Sequence, residues 1–234
     1  LSTCGSPLDK EDTIAANEKE KEERSGLISV FTLYFILLLV CVILKFTKLT
    51  ATFEVLGTVE LVFIATISVF SVLNFNELKK QLSFRKLVWW YFPVIVVVAA
   101  GSNFLVGYLV DFINSFSDDI FYVYMYKETA HPLIWSILGI AVQPAIFEEL
   151  AFRGIMFNHL DRLMEKVSIV MVTGFLFALL HLSIISITWL MLLGMLLGWM
   201  RKRTGTLWYG IVFHFVFNLT FVISEGYQRG WLFQ

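Results

Sequence analysis

Cysteine is scarce in this chain: Cys4 and Cys41 are the only two. Two thiols cannot make a disulfide framework or a thiolate zinc site. Charge is scarce as well, at 16% of 234 residues, where soluble domains carry about 25%. A basic excess is missing: 18 Lys and Arg against 19 Asp and Glu leave a net charge of −1, so nucleic acid is not an expected partner. There is no internal repeat, no H-E-x-x-H metal motif, and no Ser or Cys plainly set beside a His as an activated nucleophile. What fills the chain instead is apolar. Hydrophobic residues make up 58%, mean hydropathy is +0.75, and 23 of the aromatic residues are Phe. This balance speaks against a soluble enzyme, a disulfide scaffold and a DNA-binding protein alike.

The charges are segregated. Residues Ser2 to Arg24 hold seven acids and four bases, with no apolar stripe to bury, so residues 1–26 are expected to be a mobile, charged cytoplasmic tail. From Leu27 onward come apolar runs of the length a bilayer requires, about 20 residues each. Seven candidates stand out: Leu27–Phe46, Thr52–Leu73, Val88–Val110, His131–Phe147, Val167–Ile185, Ile187–Met200 and Leu207–Ile223. Val167 to Met200 also reads as one long helix, although Ser183, Ser186 and Thr188 favour a break. The expected fold is an all-α, polytopic transmembrane helix bundle of about seven spans, and the first apolar helix is expected to direct insertion. With the N-terminus cytoplasmic, thirteen Lys and Arg fall on the inner side and four on the outer, which places the C-terminus outside. Trp89, Trp90 and Tyr91 on one side, and Tyr122, Tyr124 and Tyr126 on the other, suit interfacial belts.

Ionisable groups inside spans cost about 2.5–3.5 kcal/mol each on insertion scales and are functional suspects by default. Glu60 is one such group: it pairs within the bundle, marks an ion path, or sits at a helix end. In AIFEELAFRG, Glu149 and Arg153 are four residues apart and share a helical face. Glu148 lies about 100° further round. Inside a bundle this makes Glu149–Arg153 a clamp and Glu148 a free carboxylate; at a helix end it makes a solvated patch. Pro144 removes an N–H one turn earlier and favours a kink. His181 lies in an apolar run, and His214 and Asn218 share a face at i, i+4. Together these groups supply what water-driven amide hydrolysis needs: a carboxylate to deprotonate water, an imidazole to orient it, and donors for the oxyanion. Glu and two His are also reasonable zinc ligands. Gly194-x-x-x-Gly198 is read as a packing face within the bundle, Cys41 as a buried thiol, and His131 and His159 receive no role.

The ordered set Glu148-Glu149-x-x-x-Arg153, Phe177-x-x-x-His181 and His214-x-x-x-Asn218 resembles the CPBP (Abi) family of intramembrane proteases, over roughly Leu133 to Val222. That family includes type II CAAX prenyl proteases and bacteriocin-processing or self-immunity proteins. The resemblance implies that Glu148 and His181 activate water, that His214 and Asn218 form the oxyanion site, and that Glu149 and Arg153 support them. It implies an accessory transmembrane part over residues 27–127, a catalytic part over 128–225 and a short C-terminal tail, 226–234. The expected function is an intramembrane endopeptidase acting on a peptide or lipid-linked protein near the bilayer surface. The expected partners are membrane lipid and that substrate. No permanent cofactor is expected, with a divalent metal such as zinc as the alternative. The rival reading is a non-catalytic immunity or regulatory protein that binds a peptide or partner helix. A proton-coupled transporter lacks the inverted repeat many such folds carry.

Simple hydropathy sets one obstacle. It places Glu148 near the inner end of the fourth span and His181 near the outer end of the fifth. The groups meet only if the fourth helix continues past Arg153 to about His159, as the apolar Ile155, Met156, Phe157 and Leu160 suggest.

Overall fold

A computed structural model describes residues 7–47, 53–114, 126, 129–228 and 230. Every regular element among them is helical. Eight helices follow one another: α1 Pro7–Thr47, α2 Phe53–Leu73, α3 Phe75–Gln81, α4 Tyr91–Asn114, α5 Pro132–Leu160, α6 Lys166–Leu180, α7 Ile184–Thr204 and α8 Trp208–Gln228. Four of them, α1, α4, α5 and α8, are long and apolar enough to cross a membrane. A fifth span arises if α2 and α3 count as one segment bent by 94°. Seven of the eight helices fall on the seven apolar runs of the sequence, and α6, at 15 residues, is short for a span of its own.

Two elements depart from expectation, and a third settles an open choice. The N-terminal segment is helical from Pro7, continuous with the apolar part of α1, rather than a mobile tail. A helix already nucleated by the apolar run extends at little cost, and pairs such as Lys19–Glu23, four residues apart at 4.0 Å, add a little support. Tyr126 does not join an interfacial belt; it is 3% exposed, and its hydroxyl donates to Glu60. That answers the question of Glu60, which pairs within the bundle. Tyr122 and Tyr124 lie outside the described residues, whereas Trp89 and Trp90 are well exposed, as a belt requires. The apolar stretch after Val167 is broken between Leu180 and Ile184, where the Ser183 hydroxyl caps α7 by accepting from the Ser186 N–H at 3.2 Å.

Helices α6 and α7 form a tight antiparallel hairpin because glycines meet at their crossing. A Cβ on Gly194 would come within 2.8 Å of the Gly174 Cα, so the small-residue face of α7 packs inside the chain. The main core joins Val30, Leu33 and Leu37 of α1 to Phe152, Ile155 and Met156 of α5 and to Ile169 and Phe177 of α6. A second core joins Ile95 and Ala99 of α4 to Leu197 of α7 and Phe213 of α8. The turn into α8 needs Gly205 in the left-handed region, at φ 69°. From there Thr206, Leu207 and Trp208 are fastened to the end of α3: the first two donate to the Gln81 carbonyl and the indole to that of Leu82.

The α2–α3 elbow is fixed by polar groups. Asn74 donates its amide to the Phe70 carbonyl, and its oxygen lies 2.7 Å from His159 Nε2. An amide oxygen only accepts, so His159 carries its proton on Nε2. His159 thereby ties the C-terminal end of α5 to the elbow, a role no local pattern announced.

Candidate active site

Helix α5 is the frame of the site, and its irregularity shapes it. Two π-helical stretches, Ile137–Val142 and Leu150–Met156, flank the α-helical turn Gln143–Glu149. In each, a backbone N–H reaches back five residues, Gln143 to Leu138 and Phe157 to Phe152. Such bulges re-aim the side chains that follow and often mark functional positions. Pro144 has a part in the first. In an α-helix the N–H of residue 144 would satisfy the Ile140 carbonyl, and proline has none. The amide of Asn218 donates to that carbonyl instead, at 2.8 Å. Asn218 on α8 therefore braces the backbone just ahead of the two glutamates.

Glu149 and Arg153 form the clamp that i, i+4 spacing implies. Glu149 Oε1 lies 2.9 Å from Arg153 Nη1, and both side chains are wholly buried. Arg153 Nη2 donates to the Gly194 carbonyl at 3.0 Å, and the Arg153 carbonyl accepts from Arg201 Nε at 3.1 Å. The guanidinium also stands 4.6 Å over the Phe177 ring, a favourable cation–π geometry. His214 Nδ1 lies 3.3 Å from Glu149 Oε1, so the clamp holds this imidazole too. His214 Nε2 then faces Glu148 Oε2 at 3.8 Å.

Glu148 turns the other way, as its helical offset requires. Together with His181 it lines a cavity of about 450 Å³, within the usual range for ligand pockets, about 300–1,000 Å³. The remaining wall is apolar apart from Cys41 and Lys45 of α1; Phe63 and Ile67 come from α2, and Phe177 and Leu180 from α6. His181 is the C-cap of α6, and its Nδ1 lies 3.1 Å from the Phe177 carbonyl. A carbonyl can only accept, so Nδ1 carries a proton, and in the neutral imidazole that leaves Nε2 its lone pair. Phe177 packs edge-on against both His181 and His214, at 5.1 and 6.0 Å between ring centroids. The structure thus brings Glu148 and His181 to one cavity and sets His214 behind Glu148. Neither His214 nor Asn218 forms part of the cavity wall.

The meeting of Glu148 with His181 follows from element lengths. Helix α5 runs unbroken to Leu160, so Glu148 stands about 18 Å above that end. His181 stands about 22 Å from the start of α6. The two helices are joined at those ends by a short turn, which brings the groups to the same depth.

Residues 130–220 match the family model described as type II CAAX prenyl endopeptidase Rce1-like. This segment, less than half of the chain, is similar to that family. The family is one of CAAX-type intramembrane proteases, and with its run of long apolar helices this is an integral membrane protein. No curated protein and no solved structure matches the chain. The Rce1-like segment covers α5, α6, α7 and most of α8 and carries all six singled-out residues, Glu148, Glu149, Arg153, His181, His214 and Asn218. Cys41, Lys45, Phe63 and Ile67 lie outside it, so the cavity is closed by helices that the family segment does not include. Sequence reasoning missed those four, since nothing in the periodicity of α1 or α2 marks which face meets α5.

Gly210, one turn before His214 on α8, is as constrained as any charged residue here. A Cβ at this position would lie 2.7 Å from Glu149 Oε2, an oxygen that is buried without a hydrogen-bond partner among the described residues. Glu149 is held by Arg153 and cannot swing aside cheaply. Gly210→Ala is therefore expected to lower the detergent melting temperature and the activity together. A variant with wild-type melting and activity would show that Glu149 has room to move.

Proposed function

We propose that this protein is an intramembrane endopeptidase in which a water activated by Glu148 and His181 hydrolyses a peptide bond of a peptide or lipid-linked protein. The observation that carries the reading is the division between the two glutamates: Glu149 is sealed in a buried ion pair, while Glu148 faces a cavity that also holds His181. A water between them loses a proton to Glu148 as its oxygen attacks the scissile carbonyl carbon. His181 orients that water through its Nε2 lone pair. The carbonyl oxygen gathers the negative charge; the family resemblance makes His214 and Asn218 the donors that steady it, which requires the cavity to open past Glu148 when substrate binds, since neither lines its wall. Asn218 has one amide N–H on Ile140 and a second N–H for this purpose. Glu148 then returns the proton to the departing nitrogen as the C–N bond breaks, leaving a carboxylic acid and an amine, which ionise to carboxylate and ammonium.

In this proposal the chemistry needs no resident metal. Among the described residues no three His, Cys, Asp or Glu side chains are grouped so as to hold one, and the Glu149–Arg153 pair engages a carboxylate that a metal would otherwise compete for. The test is cleavage of a peptide mixture by the purified full chain in ¹⁸O-labelled water, with and without exhaustive chelation. The proposal predicts one ¹⁸O in each new C-terminal carboxylate and a rate that survives chelation. Activity lost on chelation and restored by zinc would overturn the metal-free step. Absence of label would overturn hydrolysis.

A further inference from the structure

The cavity contains a cation that the reaction as described does not use. Lys45, in the last turn of α1, lines it together with Glu148, His181 and Leu182. Its ammonium donates to the Leu182 carbonyl, and no carboxylate pairs with it among the described residues. A carbonyl takes only part of what an ammonium offers, since Lys carries three donors and a full charge. The acceptor is itself unusual: Leu182 is the only described non-glycine residue with a positive φ, 49°, immediately after His181. Backbone held in this region costs energy and tends to gather at functional positions. Lys45 is exposed at the rim of the cavity, one helical turn (about 6 Å) along α1 from Cys41, another residue of the same wall. An ammonium so placed, in an otherwise apolar pocket beside a water-activating carboxylate, is suited to an anionic group on whatever peptide enters.

We propose that Lys45 is a specificity-determining residue that binds a carboxylate of the peptide substrate. This rests on the hydrolytic reading above and names the substrate feature it selects. In a cavity this small, the carboxylate must lie within a few residues of the scissile bond, since an extended chain advances about 3.3–3.6 Å per residue. Two sources share that chemistry, the C-terminal α-carboxylate and an Asp or Glu side chain.

The experiment uses the full chain in detergent and dansyl-labelled tetrapeptides of Val, Ile and Leu. They are made as free acids, as C-terminal amides, and as amides ending in Glu. Wild type is expected to show a KM about tenfold lower for a carboxylate-bearing peptide than for the plain amide, the scale of a charge-assisted hydrogen bond. Preference for the free acid alone assigns the α-carboxylate; equal preference for the Glu-ended amide assigns any carboxylate. Lys45→Gln keeps a donor for Leu182 but no charge, so its preference should fall to near one, and Lys45→Arg should keep it. Equal handling of acid and amide by wild type overturns the proposal and leaves hydrolysis standing. So does a loss in Lys45→Gln that strikes both peptides equally, which would mark Lys45 as a brace for Leu182 alone. Dansyl fluorescence titrations into the Glu148→Gln protein read the same selectivity without turnover. Acid-selective binding there that vanishes in the Glu148→Gln, Lys45→Gln double variant supports the carboxylate assignment even if no peptide is cleaved, and in that case only the hydrolytic reading fails.

Discussion

Glu148→Gln is expected to accumulate in membranes at wild-type level, melt at the wild-type temperature, and lose hydrolysis by about 10²–10⁴-fold, the usual contribution of a positioned general base. The substitution keeps the shape of the side chain and its capacity to hydrogen-bond, and removes only the site that accepts the water's proton. The native carboxylate makes no hydrogen bond within the fold among the described residues. Glu148 is 24% exposed on the cavity wall, and among the described residues the one basic group within 4 Å of it is His214 Nε2, at 3.8 Å. The check is a cleavage rate from purified protein set beside its melting curve. A variant that hydrolyses at the wild-type rate would remove Glu148 from the chemistry.

Glu149→Gln should fail in the opposite way. Among the described residues its carboxylate is the sole counter-charge in contact with Arg153, in a pair from which solvent is fully excluded. The same oxygen holds His214 Nδ1. Neutralising it strands a buried guanidinium, and breaking such a pair by removing one partner costs about 3–5 kcal/mol. That is a large fraction of a typical domain's stability margin, about 5–15 kcal/mol. Reduced membrane abundance and a sharply lower melting temperature are therefore expected, with activity falling alongside. Arg153→Met, which removes the other partner, should resemble it. The double variant Glu149→Gln, Arg153→Met should recover part of the stability, because no buried charge remains unpaired. If Glu149→Gln is stable and dead while Glu148→Gln is active, the two roles are reversed.

The difference between these neighbours was legible in the sequence because it is a matter of helical phase. A spacing of four pairs Glu149 with Arg153, and one residue's rotation sends Glu148 to another face. The continuation of α5 to Leu160 was legible for a similar reason, since Ile155, Met156, Phe157 and Leu160 keep the apolar pattern past the charged motif. Other features had no local signature. Proline hinted at a kink, but the π-helical stretches on either side of the glutamates depend on partners far along the chain, such as Asn218 beneath Ile140. Glu60 announced a buried partner without naming it, because Tyr126 lies 66 residues away. The entry of Cys41 and Lys45 into the cavity is a consequence of how α1 packs on α5. The N-terminal charges suggested a loose tail because that segment lacks an apolar stripe, yet helix propagates through it from the apolar half of α1.

The central claim, a membrane peptidase whose base is Glu148, is tested most directly by mapping peptide termini across the membrane proteomes of cells carrying wild type or Glu148→Gln at equal abundance. The account predicts a discrete set of new C-termini, in segments close to the bilayer surface, present with wild type and missing with the variant. Identical termini in the two, with a phenotype that Glu148→Gln fully retains, would contradict it and point to a protein that binds its partner without cutting it.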